Sequence, residues 1–241
     1  MKINKASSRF TVPEQREPIS AFTLLELLVL IAIITILAAL AISALASALS
    51  KAQMTGTMNN ARQLYQVQFQ MANDGAATGG ASLAWPGDYT PPIPNLQTYV
   101  NTLLLSGYLK GGDVAKLFSA SGASLSLTVA NGPPESVNFT GGTAALKVHP
   151  ARDVDPSNTI FCTSHNYVYN TAIVNGSAPY GTKGFIVVRK GGDAAVFKSG
   201  QAQVAGWGGD CTKFQSNVGA RTGDAPGTCG TGDPANTLIY P

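Results

Sequence analysis

Glu26 makes the clearest chemical demand in this chain: it is the last charged residue before a stretch, Leu27 to Ser50, that contains none. An acid so close to the start of a helix inserted in hydrocarbon is costly unless a cation answers it, so its chemistry is ion pairing. The other candidates are scattered. Cys162-Thr-Ser-His165 has a C-x2-H spacing that offers two zinc ligands, but no second pair follows to close a tetrahedral site, which favours a structural role. His149 and His165 are the only histidines, and neither has an acid beside it to suggest a nucleophile, base and orienting group. Asp210, Asp224 and Asp233 lie in a Gly-rich tail, where they read as oxygen ligands on flexible loops or, preferably, as solvated turn acids. Asn138-Phe-Thr140 and Asn175-Gly-Ser177 match the short glycosylation acceptor pattern. No catalytic set emerges, and no enzymatic activity is expected.

The element that must position Glu26 is an apolar helix. The uncharged run is longer than the roughly 20 residues needed to cross a bilayer's hydrocarbon, and it reads as a membrane helix. Lys2, Lys5, Arg9 and Arg16 precede it against Glu14 and Glu17, and no comparable cluster follows soon after. That asymmetry places the N-terminus in the cytoplasm and everything after residue 50 on the far side. Two plainer readings compete: a signal anchor with an acid at the interface, and a secretory signal peptide cut near Ala44 to Ala48. Against the second, the segment exceeds the usual run of roughly 7 to 15 residues and the helical pattern carries straight on. Pro13 and Pro18 argue against a continuous helix through residues 10 to 21. The formal net charge of +3, with 12% charged residues, fits one modest domain plus an anchor and gives no basic face for nucleic acid. Four cations against two acids in the first 21 residues make +2, leaving +1 for the rest.

Ala21-Phe-Thr-Leu-Leu-Glu26, continued by Leu-Leu-Val-Leu-Ile-Ala-Ile, resembles the N-terminal signature of type IV pilins and of the pseudopilins of type II secretion. The resemblance covers about residues 19 to 55 by motif and the remainder by general layout. It implies that a prepilin peptidase cuts between Ala21 and Phe22, that Phe22 becomes the N-methylated terminus, and that Glu26 supports assembly. The family usually has glycine where Ala21 stands, and many members have a proline where this chain has Ser43. On this reading residues 1–21 are a cytoplasmic leader, 22–50 a transmembrane and filament-core helix, 51–73 an amphipathic half of the same helix, and 74–241 a periplasmic or extracellular head. The new ammonium at Phe22 would lie one turn from Glu26, and first-turn acids are also favoured by the unpaired N–H groups there. Glu26 could then be neutralised by its own terminus or by that of an axially staggered neighbour. Only the second builds a filament.

Beyond the apolar run, Met54, Met58, Ala61, Tyr65 and Ala72 recur at helical spacing, with Leu64, Val67, Phe69 and Met71 widening that face. Turn residues from Asn73 to Gly80 end the helix. The Pro-rich stretch Trp85 to Pro94 is expected to lay its aromatics against the helix, and a polyproline ligand there has only weak support. Asn95 should cap a helix carrying Leu96, Tyr99, Val100, Leu103 and Leu104, and Asp113 a shorter one carrying Val114, Leu117 and Phe118. From about residue 123 the period becomes two. Strands are expected at 124–129, 136–139, 144–148, 166–174, 184–189 and 194–198, the last two joined as a hairpin through Lys190-Gly-Gly-Asp193. An antiparallel sheet on the helix would bury both apolar faces, giving an α+β fold, and the pilin layout is the same.

The tail from Gly200 is poor in aliphatic residues. In an oxidising compartment Cys211 and Cys229 could close a loop there, and the resemblance points the same way; a bridge to Cys162 and free thiols are the alternatives. Cys162 itself reads as a buried small apolar residue. No cofactor is expected. Major pseudopilins bind calcium near the C-terminus, so calcium is the one metal the resemblance allows, without transferable ligands. The implied function is a structural subunit of a type IV pilus-like or type II secretion pseudopilus filament. Its partners would be further copies of itself, other pilins, the peptidase, the inner membrane and an assembly platform in it. The alternatives are a minor or adhesive pilin, with the Pro-Gly-rich loops as recognition surface, and a single-pass anchored periplasmic protein with another activity.

Overall fold

The computed structural model describes residues 22–240, without the side chains of Ser43 and Ala44, so the expected leader and Ala21 lie outside the described residues. Helix α1, Leu24–Thr78, has its first stop signal, Gly79, at φ +69°. There the N–H of Gly80 returns to the carbonyl of Gly75 at 3.1 Å, the six-to-one bond of a Schellman turn. The helix thus continues five residues past the expected end at Asn73. Asn-Asp-Gly is a weak stop: one glycine inside a helix costs only about 1 kcal/mol. Gly75 is also needed where it is, because a Cβ on it would sit 1.8 Å from the Leu83 carbonyl oxygen.

The chain divides into two compact units, Met1–Ala46 and Ser47–Pro241. In the first, every described side chain from residue 22 to 46 is exposed, and this part of α1 is long and apolar enough to cross a membrane. The Thr35 hydroxyl donates to the Ile31 carbonyl at 2.6 Å, so a polar group inside the apolar run is satisfied by its own helix.

In the second unit α1 buries Met54, Thr57, Ala61, Leu64, Tyr65, Gln68, Met71 and Ala72, a stripe three and four residues apart. Phe69 does not widen that face: it is exposed and stacks on Tyr65 at 5.7 Å. Trp85 closes over the stripe with Tyr65 and Phe161, ring centroids 5.8 to 6.3 Å apart. Gln68 donates to the Ala84 carbonyl at 2.9 Å and accepts from the Tyr99 hydroxyl at 2.9 Å, which ties the helix to the Pro-rich loop and to the next helix. That helix, α2 (Leu96–Leu105), is capped by Asn95 as expected. Helix α3, Gly111–Leu117, is not capped by Asp113, which lies inside its first turn. The Glu135 carboxylate accepts the Gly111 N–H at 2.6 Å instead, so an acid 24 residues away does the work of a local cap.

Strands β1 (Leu125–Ala130) and β2 (Ser136–Gly142) form an antiparallel hairpin. A second antiparallel sheet has the order β3 (Leu146–Val148), β4 (Ile160–Ser164), β5 (Phe185–Arg189), β6 (Ala194–Phe197). Along β5, Ile186 and Val188 pack on the α1 side, while Phe185 and Val187 pack on the opposite side. The expected strand over 166–174 is absent: that stretch is turns and irregular chain, with Asn170 at φ +49°. β4 took the place expected for it. It is buried along its whole length, so it has no apolar and polar alternation to be read.

The tail is not short of core. Tyr167, Tyr169, Phe185, Phe197 and Phe214 join Ala202 and Val218 in a second cluster on the far face of the sheet. Tyr167 stacks on Phe185 at 4.1 Å, and Tyr169 meets Phe214 edge-on at 5.4 Å. Helix α4, Cys211–Asn217, carries Phe214 into this layer, and a disulfide joins its first residue, Cys211, to Cys229. With its ends 18 positions apart in sequence, that bridge contributes about 3 kcal/mol in the chain-entropy model. Cys162 is free and buried among the side chains that pack on α1.

Candidate functional site

The helix start around Glu26 is built locally. Thr23 stands just before α1, and its N–H and hydroxyl both donate to Glu26 Oε2, at 3.0 and 2.9 Å. The Glu26 N–H returns to the Thr23 hydroxyl at 3.2 Å. This reciprocal arrangement is a capping box, and it satisfies donors that the first turn otherwise leaves open. Its Thr-x-x-Glu spacing, Thr23-Leu-Leu-Glu26, is legible in the sequence. One carboxylate oxygen is therefore engaged, and among the described residues Oε1 has no hydrogen-bond partner. Phe22, one turn back, is 75% exposed. The site holds a carboxylate at a fixed place on an exposed apolar helix, with one oxygen open to a cation from elsewhere.

A second polar centre lies in the head. Lys147 on β3 is 1% exposed and pairs with Asp233 Oδ2, while Asp233 Oδ1 accepts the Tyr169 N–H at 3.1 Å. They border a cleft of about 550 Å³ that His165, Asn166, Thr143 and Thr171 also line. Asn166 donates to the carbonyls of Gly181 and Gly184 at 3.0 and 2.9 Å; its Oδ1 and the Nδ1 of His165 are buried without a partner. Cys162 and His165 do not form a ligand pair, since the thiol packs on the α1 side of the sheet and the imidazole lines the cleft. Burial holds the Cys162 thiol well above its ordinary range. Asp210 caps α4 by accepting from the Lys213 N–H at 3.1 Å. Asp224 accepts from Arg221 at 2.8 Å and from the Gly230 N–H at 3.0 Å. The three tail acids thus have separate structural tasks, and among the described residues no three His, Cys, Asp or Glu side chains group as a metal site.

His149 is fully buried beside Thr163, 3.1 Å from its hydroxyl. Burial depresses its pKa from 6.5 to about 4, with Lys147 adding to the depression and Asp233 opposing it. The folded state therefore resists a proton that the unfolded chain accepts. The stability this contributes is complete above pH 6.5 and drains away as pH falls toward 4. At about 1.4 kcal/mol per pH unit, the head should lose about 2.5 kcal/mol between neutral pH and pH 4.5. Urea midpoints of the full-length chain in detergent at the two pH values measure this, and His149→Gln should flatten the difference. An unchanged pH dependence in that variant would assign it to other groups.

Fold and site together define an α+β protein with an N-terminal helix long and apolar enough to cross a membrane and a capped carboxylate at the start of that helix. Compared with protein-family models, with curated proteins and with solved structures, the chain matches none.

Proposed function

We propose that the chain is a structural subunit of a type IV pilus-like or type II secretion pseudopilus filament. The observation that carries this reading is the pairing of an exposed apolar helix with a single acid at its start, in an order that resembles the prepilin signature. A prepilin peptidase hydrolyses the bond between Ala21 and Phe22, and the Phe22 amine is methylated. Before assembly the N-terminus faces the cytoplasm, the apolar helix crosses the inner membrane, and the head stands in the periplasm. A platform in the inner membrane brings subunits together. Glu26 then meets the Phe22 ammonium of a staggered neighbour; Thr23 holds Oε2, which leaves Oε1 for that cation. Apolar side chains that faced lipid come to face those of other copies, and the heads form the outer surface.

Intact-mass and N-terminal peptide mass spectrometry of the protein from its native membrane tests the reading. A chain that begins at Phe22 with one added methyl group is expected. A chain that keeps residues 1 to 21 would overturn the proposal in favour of a single-pass anchored protein.

A further inference from the structure

Lys51, Lys183 and Lys198 are 132 and 15 residues apart in sequence, yet the head gathers them round one groove of about 290 Å³. Lys51 lies on α1, Lys183 in the turn before β5, and Lys198 directly after β6. The register of β5 on β6, with Phe185 opposite Phe197, brings the last two together at one end of the sheet. Met54, Thr55, Val196 and Phe197 complete the lining, so the groove has an apolar wall and a cationic rim. All three lysines are exposed, no acid lines the groove, and among the described residues none of the three forms an ion pair.

We infer that this groove binds the headgroup of an anionic phospholipid, the phosphate among the three ammonium groups and the glycerol region against Met54, Val196 and Phe197. Position selects this occupant. Lys51 is the first charged residue after the uncharged run that ends at Ser50, so a chain anchored through that run places Lys51 where hydrocarbon gives way to headgroups. Ammonium groups on long stems with an apolar wall beneath them suit that boundary. The cluster has no counterpart in a count of charges near the apolar run, because two of its members arrive only on folding. It therefore plays no part in setting orientation during insertion, and acts on the folded head. The inference rests on the membrane-anchoring part of the proposed function.

The test uses the full-length protein in nanodiscs of phosphatidylcholine, with and without about one third phosphatidylglycerol. Amine-reactive labelling read by mass spectrometry follows Lys51, Lys183 and Lys198, with Lys110 and Lys116 as references on the same head. Each lysine held at an anionic surface gains about fivefold in affinity. Labelling of the three should accordingly slow about fivefold in the anionic discs, at low salt only, and the references should not change. Inorganic phosphate added to phosphatidylcholine discs should give no such protection. In Lys183→Gln/Lys198→Gln, Lys51 should lose most of its protection. Equal labelling in both lipids, protection by phosphate alone, or full protection of Lys51 in the double variant would each overturn the groove as a lipid site while leaving the anchoring intact. Failure of the chain to enter nanodiscs of either composition would overturn both.

Discussion

Glu26→Ala should abolish filament assembly, by a hundredfold or more in recovered filaments, while leaving the chain in the membrane and its head folded. In the proposed filament, removing the carboxylate would strand the ammonium of a neighbour in an apolar setting. The effective penalty for one such unpaired ion is several kcal/mol, and about 3 kcal/mol already corresponds to a hundredfold. The same substitution also removes the capping contacts with Thr23. Their loss costs about 1 kcal/mol of helix stability, too little to prevent insertion of so long an apolar helix. Glu26→Gln separates the two effects, since an amide oxygen can accept from the Thr23 N–H but carries no charge. If charge pairing drives assembly, Gln fails nearly as completely as Ala. Normal filaments from the Gln variant would show that the cap, not the ion pair, is what assembly uses. Wild-type yield from Glu26→Ala would sink the assembly role altogether.

Asp233→Ala should destabilise the head by about 3 to 5 kcal/mol, as much as emptying a core aromatic site, because it leaves a buried cation alone. Lys147 is 1% exposed and Asp233 is its partner, so nothing as good is within reach once the carboxylate is gone. The Tyr169 N–H loses its acceptor at the same time. Burial already pulls the Lys147 ammonium below its ordinary pKa, against the pull of Asp233, so without Asp233 part of the cost is relieved by deprotonation. Thermal unfolding of the full-length chain in detergent should show a midpoint lowered on the order of 10 °C. The double variant Lys147→Met/Asp233→Ala should recover part of that loss, since it removes both charges and methionine keeps most of the lysine's volume. A single variant within about 1 kcal/mol of wild type would mean that water reaches Lys147 in solution.

This pair also shows how sequence and structure divide the information. Asp233 reads in sequence as one of three loop acids, and Lys147 as one position of the expected strand 144–148 with no role of its own. Their roles depend on meeting across 86 residues. The same holds for Glu135 at the start of α3 and for Gln68 between Ala84 and Tyr99. A polar side chain takes its meaning from its partner, and local pattern does not name a distant partner.

What the sequence determined by itself is what one-sided burial and local hydrogen bonding write into neighbouring residues. The uncharged run marks a helix able to cross a membrane, the spacing from Met54 to Ala72 gives the buried stripe of α1, Asn95 caps α2, and Lys190-Gly-Gly-Asp193 turns β5 into β6. The α+β layout follows from those periods. Only the tertiary structure decided that β4 is a strand and that 166–174 is not. A strand covered on both faces has no alternation, whereas Tyr167 and Tyr169 alternate because an irregular segment sends both rings into the second core. It also decided that α1 runs through Gly75, where the close approach of Leu83 requires glycine, and that three distant lysines share one groove. Each of these depends on which surfaces meet once the layers pack, a property of the whole chain that no window of it contains.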